Sequence, residues 1–136
     1  MLIEPLPPSK IDAAVELWQA AGLTRPWNDP LEDLRRALAT PDATVLAGIG
    51  DDGLIATAMV GHDGHRGWVY YLAVREDARR CGHGAAMMRA CETWLARRGV
   101  PKLNVMVRGD NAATRAFYGA LGYGADDVVV LSRRLR

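Results

Sequence analysis

Arg79, Arg80, Gly82 and Gly84 are residues whose types and spacing suit the binding of a phosphate group. They follow Leu72-Ala73-Val74, the end of an apolar run, and open a helix-like run that starts near His83. Glycine lets backbone N–H groups crowd around a ligand with no Cβ in the way. A helix N-terminus adds unpaired donors and partial positive charge, so the main chain from Arg79 through Cys81 and His83 to Ala85 suits a diphosphate, with the two arginines at its rim. A tight helix entry would explain the same glycines. Two nucleotide-binding motifs are excluded. A P-loop needs Lys-Ser/Thr after its last glycine, where Ala85-Ala86 stand, and a dinucleotide fingerprint needs a small residue where Met87 stands.

Other chemistry-bearing groups are less specific. Asn111 is placed to cap a helix carrying Ala113, Ala116, Phe117, Ala120 and Leu121, and Tyr118 points away from that stripe. Trp27-Asn28-Asp29-Pro30 offers one aromatic and two polar side chains, which helix capping and packing explain as well as ligand binding does. His62, Asp63 and His65 sit in a turn-rich connection and read as surface-turn residues. Cys81 and Cys91 have neither a disulfide pattern nor a metal spacing, so one reads as a loop residue and one as core, and no metal is expected.

The elements that must position these groups follow from periodicity and turn chemistry. Residues 2–6 read as a short strand that Pro7-Pro8 ends. Ser9 is expected to cap a helix with Ile11, Ala14, Val15, Trp18 and Ala21 on one face, closed by Gly22. A second helix starts at Asn28 or Asp29 with Pro30 in its first position and Leu31, Leu34 and Leu38 as its stripe. Strands at 44–49 and 54–60 flank the hairpin turn Asp51-Asp52-Gly53, and 68–74 is a third strand. A helix over 83–98 with Met87, Cys91, Trp94 and Leu95 inward, a strand at 103–107, the helix after Asn111 and a last strand at 128–131 complete the order. This is an α/β pattern of hairpins followed by a crossover.

A chain of 136 residues, 49% hydrophobic, fits one domain over 1–136. Seventeen basic residues against sixteen acidic ones give a formal net charge of +1, which argues against bulk nucleic-acid binding. No apolar run reaches the length of a membrane span, and Met1 leads into a strand without a signal-peptide layout. A cytoplasmic protein with no membrane partner is expected.

Arg79-x-x-Gly82-x-Gly84 after Leu72-x-Val74 resembles the coenzyme A pyrophosphate loop of the GNAT N-acetyltransferase superfamily. Asn111-Ala112-Ala113-x-x-Ala116-Phe117-Tyr118-x-x-Leu121-Gly122-Tyr123 resembles that superfamily's other hallmark, in the right order and at the right distance. The resemblance implies a mixed, mostly antiparallel sheet with splayed parallel fourth and fifth strands, flanked by about four helices. It implies acetyl-CoA as cosubstrate and an amine acceptor, with direct transfer and no covalent enzyme intermediate. Leu72, Ala73 and Val74 would meet the pantetheine as an added strand would, and a backbone N–H there would polarise the thioester carbonyl. Arg79, Arg80, Cys81, Gly82, His83, Gly84 and Ala85 would hold the pyrophosphate. Tyr118 would lie near the sulfur and protonate the leaving thiolate. Asn111 would touch the pantetheine, although capping alone explains it. Trp27, Asn28, Asp29 and Tyr70 would wall the acceptor site.

Two departures stand out. Some relatives carry a glutamate base on the fifth strand where Met106 stands here, and freeing a lysine-like amine at neutral pH costs roughly 4–5 kcal/mol. Tyr70 and Tyr71 are candidates to act through water, and no base is singled out. The rival reading is a non-catalytic module that binds or senses acyl-CoA. Only a short segment follows Tyr123, where relatives usually end in a two-strand hairpin. With one strand missing, the strand at 128–131 is expected to recruit a second copy as a homodimer.

Overall fold

Pro7 and Pro8 end the first strand, β1 (Leu2–Pro5), and bend the chain into one turn of 3-10 helix at Pro8–Lys10. In the computed structural model, which describes residues 1–136, helix α1 (Ile11–Ala20) continues directly from that turn. Ser9 lies inside the turn and does not cap α1. The prolines have already started the coil, and Lys10 takes the cap position without a side-chain bond. Helix α2 (Pro30–Leu38) has the expected start, with the Asp29 carboxylate accepting from the N–H groups of Leu31 at 3.0 Å and Glu32 at 3.3 Å.

Strands β2 (Ala43–Gly50) and β3 (Gly53–His62) form the expected hairpin, with Gly53 at φ +115 in its turn. Strand β4 (Gly67–Val74), helix α3 (His83–Ala96), strand β5 (Leu103–Val105) and helix α4 (Ala112–Ala120) follow. The chain forms two compact units, Met1–Val105 and Met106–Arg136.

In the first unit the strands lie in the order β1-β2-β3-β4-β5, antiparallel except for the parallel pair β4 and β5 that α3 connects. One face of the sheet, with Val45, Ala47 and Ala73, packs with Leu6 on Ala14 and Trp18 of α1 and Leu34 and Ala37 of α2. The other face receives α3, whose Met87, Met88, Cys91 and Leu95 are buried, while Trp94 is half-buried beneath the Arg98 guanidinium. Gly67 makes this approach possible. A Cβ there would stand 2.5 Å from the Leu95 Cδ1 atom, so any other residue would force the buried Leu95 side chain to move. Burial raises the Cys91 thiol pKa to about 12, which fits its place in the core.

The β4–β5 ladder is short. Gly67, Trp68 and Val69 pair with Leu103, Asn104 and Val105, and β5 ends there, two residues earlier than the sequence suggests. From Tyr70 to Val74, β4 therefore has no β5 partner along that edge.

The second unit contains α4, capped by Asn111 Oδ1 accepting from the Thr114 N–H at 3.0 Å. Its buried residue is Tyr118, edge-on to Phe117 at 5.0 Å and to Tyr123 at 5.5 Å between ring centroids. Ala113, Ala116 and Ala120 are exposed, which corrects the expected stripe. Aromatic side chains have far more apolar area to bury than alanines do, so the aromatic side of α4 turns inward. Residues 128–131 form no strand and are exposed, from 60% at Val130 to 90% at Leu131. A strand needs a hydrogen-bonded partner, and α4 is the only regular element of this unit.

Candidate functional site

The centre of β4 departs from plain alternation. Met59 pairs with Tyr70 and Thr57 with Ala73, so Ala58 alone opposes Tyr71 and Leu72. This is a β-bulge in β4, and Tyr71 adopts φ +52, a left-handed conformation rare for a bulky residue. Such a conformation costs on the order of 1–3 kcal/mol and persists only when its surroundings fix it. Four contacts do so. The Thr57 hydroxyl donates to the Tyr71 carbonyl at 3.0 Å, and Trp18 Nε1–H donates to that hydroxyl at 2.8 Å. The Trp18 ring stacks on the Tyr71 ring at 3.9 Å, and the Tyr71 hydroxyl donates to Asp33 Oδ2 at 2.8 Å. Thr57 is the buried polar residue of the core, and both of its hydrogen bonds serve this bulge.

The bulge sets which side chains meet. In a regular strand Tyr70 and Tyr71 would point to opposite faces. Here both line one open cavity of about 620 Å³ on the α1–α2 side, together with Leu23, Asn28, Asp33, Arg36, Ala37, Thr40, Ala43 and Met59. Asp33 and Arg36 are its charged groups, and the Arg36 guanidinium is paired with Glu32 at 2.7 Å. Burial, the Asp33 hydrogen bond and the nearby carboxylates of Asp33 and Asp29 push the Tyr71 phenol well above its ordinary pKa. Burial and the Asp63 charge also raise that of Tyr70.

At its far end β4 runs into the glycine loop. Arg75 anchors the start of that loop by ion pairs to Asp52 at 3.0 Å and Asp77 at 2.6 Å. Arg79 folds back, donating from Nε to the Val74 carbonyl at 3.2 Å. Arg80 at φ +63 and Gly82 at φ +80 then turn the chain into α3. The first intrahelical bond runs from Ala86 N–H to the Gly82 carbonyl, no side chain caps the helix, and no acidic residue stands in its first turn. The N–H groups of His83, Gly84 and Ala85 thus form a donor cluster with the positive end of the helix dipole behind it.

The remaining sequence candidates fall in different places. Asn28 and Tyr70 line the cavity, Asp29 is occupied by capping α2, and Trp27 is 56% exposed. Leu72, Ala73 and Val74 lie along the β4 edge that β5 leaves unpaired, with the Ala73 side chain buried in the core. Cys81 is exposed beside the Arg79 carbonyl. Asn111 and Tyr118 belong to the second unit, as does Met106, which is 50% exposed. Asp63 accepts from the backbone N–H groups of His65 and Arg66, which lowers its pKa, and so behaves as a turn residue. His62 Nε2 lies 3.7 Å from Asp42 Oδ1. No group of three His, Cys, Asp or Glu side chains is arranged to hold a metal ion.

Asp33 and Arg36 escaped the sequence reading. Acidic residues in the first turn of a helix look like complements to its dipole, and the pattern gives no sign that one of them meets a strand residue.

A mixed sheet with a bulged fourth strand, half unpaired on one edge and leading into an uncapped helix, is the scaffold of an N-acetyltransferase fold. The aminoglycoside acetyltransferase AAC(6')-Iy, in complex with a CoA-S-monomethyl-acetylneamine bisubstrate analogue, has this fold, with a TM-score of 0.85 at 15% identity over 98% of this chain and 97% of that one. So does AAC(6')-Ig of Acinetobacter haemolyticus, with a TM-score of 0.82 at 19% identity over 100% of both chains. Residues 12–123 match the acetyltransferase (GNAT) family model, and the chain belongs to that family. An acetyltransferase of Yersinia enterocolitica is 39% identical over 127 residues, covering 93% of this chain and 90% of its own. One of Sodalis glossinidius is 41% identical over 126 residues, covering 91% and 88%.

Proposed function

We propose that this chain transfers the acetyl group of acetyl-CoA directly to a primary amine of a small molecule or peptide. The observation that carries the reading is the continuity of β4, from two cavity-lining tyrosines, along an unpaired edge, to the donor cluster at the start of α3. The residues present fit coenzyme A. The edge at Leu72, Ala73 and Val74, which β5 leaves unpaired and where Arg79 now holds the Val74 carbonyl, suits the pantetheine amides. The segment Arg79, Arg80, Cys81, Gly82, His83, Gly84 and Ala85 offers main-chain donors and two arginines to the pyrophosphate.

In this reaction the amine nitrogen bonds to the acetyl carbon, and the carbon–sulfur bond breaks. The sulfur keeps the electron pair and takes the proton of the Tyr118 hydroxyl, while the surplus proton of the nitrogen passes to water, which returns a proton to the Tyr118 phenolate. Tyr71 is a poor choice of base, because its hydroxyl already donates to Asp33 and its pKa is raised. The cavity between α2 and β4 receives the acceptor, with Asn28 and Tyr70 on its wall and Trp27 and Asp29 close in sequence. Asn111 serves as the α4 cap and lies within the motif that meets the pantetheine.

The chain acts as one domain over 1–136, in the cytoplasm, where acetyl-CoA is drawn on. No helix is long and apolar enough to cross a membrane. A second copy pairs through the apolar run at 128–131 to give a homodimer. The exposed Met106, which cannot take a proton, favours a second reading as an acyl-CoA sensor without turnover.

Thiol release from acetyl-CoA over a panel of amines separates the two readings. Gly82→Glu tests the cofactor site. A Cβ at Gly82 meets nothing within 4 Å, so the fold is kept apart from about 1–2 kcal/mol of left-handed strain. The added carboxylate sits at the donor cluster, and coenzyme A binding by calorimetry should vanish. Unchanged affinity would remove the reading.

A further inference from the structure

Asp33 is the one charged cavity residue whose charge is not already balanced by an ion pair. Arg36 is held by Glu32 at 2.7 Å, whereas the Asp33 carboxylate accepts a hydrogen bond from a phenol, which carries no charge. Burial and the Asp33 bond raise the Tyr71 pKa, so the phenol stays neutral and brings no countercharge to the carboxylate. A carboxylate has about four acceptor sites, and Tyr71 fills one. The hydrogen bond also fixes where that charge sits, since Tyr71 is itself locked by Trp18 and Thr57. Around it the cavity wall is aromatic at Tyr70 and Tyr71 and apolar at Leu23 and Met59. Aromatic faces attract cations, and apolar walls accept methylene carbons.

We propose that Asp33 binds a second positive group of the acceptor, so that the substrate class is a di- or polycationic amine whose two nitrogens are joined by an apolar spacer. This rests on the cavity being the acceptor site. A monoamine leaves the carboxylate unanswered. An amino acid sets its own carboxylate against Asp33, with the cavity's arginine already paired.

The test uses three probes of one length, which differ only at the far end: 1,5-diaminopentane, pentylamine and 5-aminopentanoate. Equilibrium binding to the full chain is measured by calorimetry, and thiol release from acetyl-CoA is measured with each. Wild-type protein should bind the diamine about 10-fold or more tighter than pentylamine, in line with a partly desolvated charge pair, and bind 5-aminopentanoate most weakly. In Asp33→Asn, whose amide oxygen still accepts from Tyr71, the diamine should fall to the pentylamine level, with acetyl-CoA affinity unchanged. Tyr71→Phe keeps the carboxylate and should keep the order of the three probes.

Equal binding of diamine and pentylamine by wild type would overturn the proposal, as would a preference that survives Asp33→Asn. Because the wild-type comparison needs no variant, misfolding of Asp33→Asn does not shield it. Asp33-dependent diamine binding without thiol release would keep Asp33 as a site for a dication but overturn the claim that the dication is an acetyl acceptor, together with the transferase reading.

Discussion

Replacing Thr57 by valine keeps the shape of the side chain and removes only the hydroxyl that holds the β4 bulge. Two hydrogen bonds disappear, the one from Trp18 Nε1–H at 2.8 Å and the one to the Tyr71 carbonyl at 3.0 Å. Trp18 has 0% exposure, so its N–H cannot turn to water. Stranding a buried polar group costs about 1–3 kcal/mol, and losing one support of a left-handed residue adds to this. The extra buried methyl of valine returns about 1 kcal/mol. A net loss of about 1–3 kcal/mol follows, a large part of the roughly 5–15 kcal/mol that holds a typical domain together. Thr57→Ser supplies the contrast, since it keeps the hydroxyl and gives up one methyl, about 1 kcal/mol. Urea denaturation followed by tryptophan fluorescence should rank wild type above serine and serine above valine. If packing alone mattered, valine would equal or exceed wild type and serine would be the weakest. That reversed order would refute the role given to the hydroxyl. The amine KM should also rise in the valine variant, because the bulge is what brings Tyr70 and Tyr71 to one cavity.

Two further outcomes bear on the chemistry and the assembly. Tyr118→Phe, which removes only the hydroxyl, should lower turnover roughly 10²-fold with little change in acetyl-CoA affinity, measured by steady-state kinetics and calorimetry. Light scattering across micromolar concentrations should give twice the 14.8 kDa chain mass, and Val129→Lys should halve it; a mass of one chain throughout would rule out the dimer.

Most elements were legible because their signals are local. Asp29-Pro30 starts α2, Asp51-Asp52-Gly53 turns the β2–β3 hairpin, and the glycines at 82 and 84 open α3. The bulge was not legible. Tyr70-Tyr71-Leu72 reads as uninterrupted strand, with no glycine to mark the left-handed residue, and its cause lies in Trp18, Thr57 and Asp33, far away in sequence. Asp33 was lost for the same reason, since its partner is 38 residues distant. Ser9 misled because it satisfies a capping pattern that the prolines before it pre-empt. The run at 128–131 misled because β-branched residues show a preference for strand but not the presence of a neighbour to pair with.

Strand β4 behaves like a text with a single-letter insertion. Upstream of it, Val69 reads towards α3 and Tyr70 towards α2; downstream, Ala73 reads towards α1 although the odd positions began on the opposite side. Removing Leu72 would restore the frame. Tyr71 would then stand opposite Ala58, on the α3 side and turned away from Asp33 and the cavity. The side chains beyond Ala73 would keep their meaning and only Tyr71 would be misread. Strand length in this protein is therefore part of the code for the site, and an aligned strand one residue shorter would describe a different cavity even with every other residue the same.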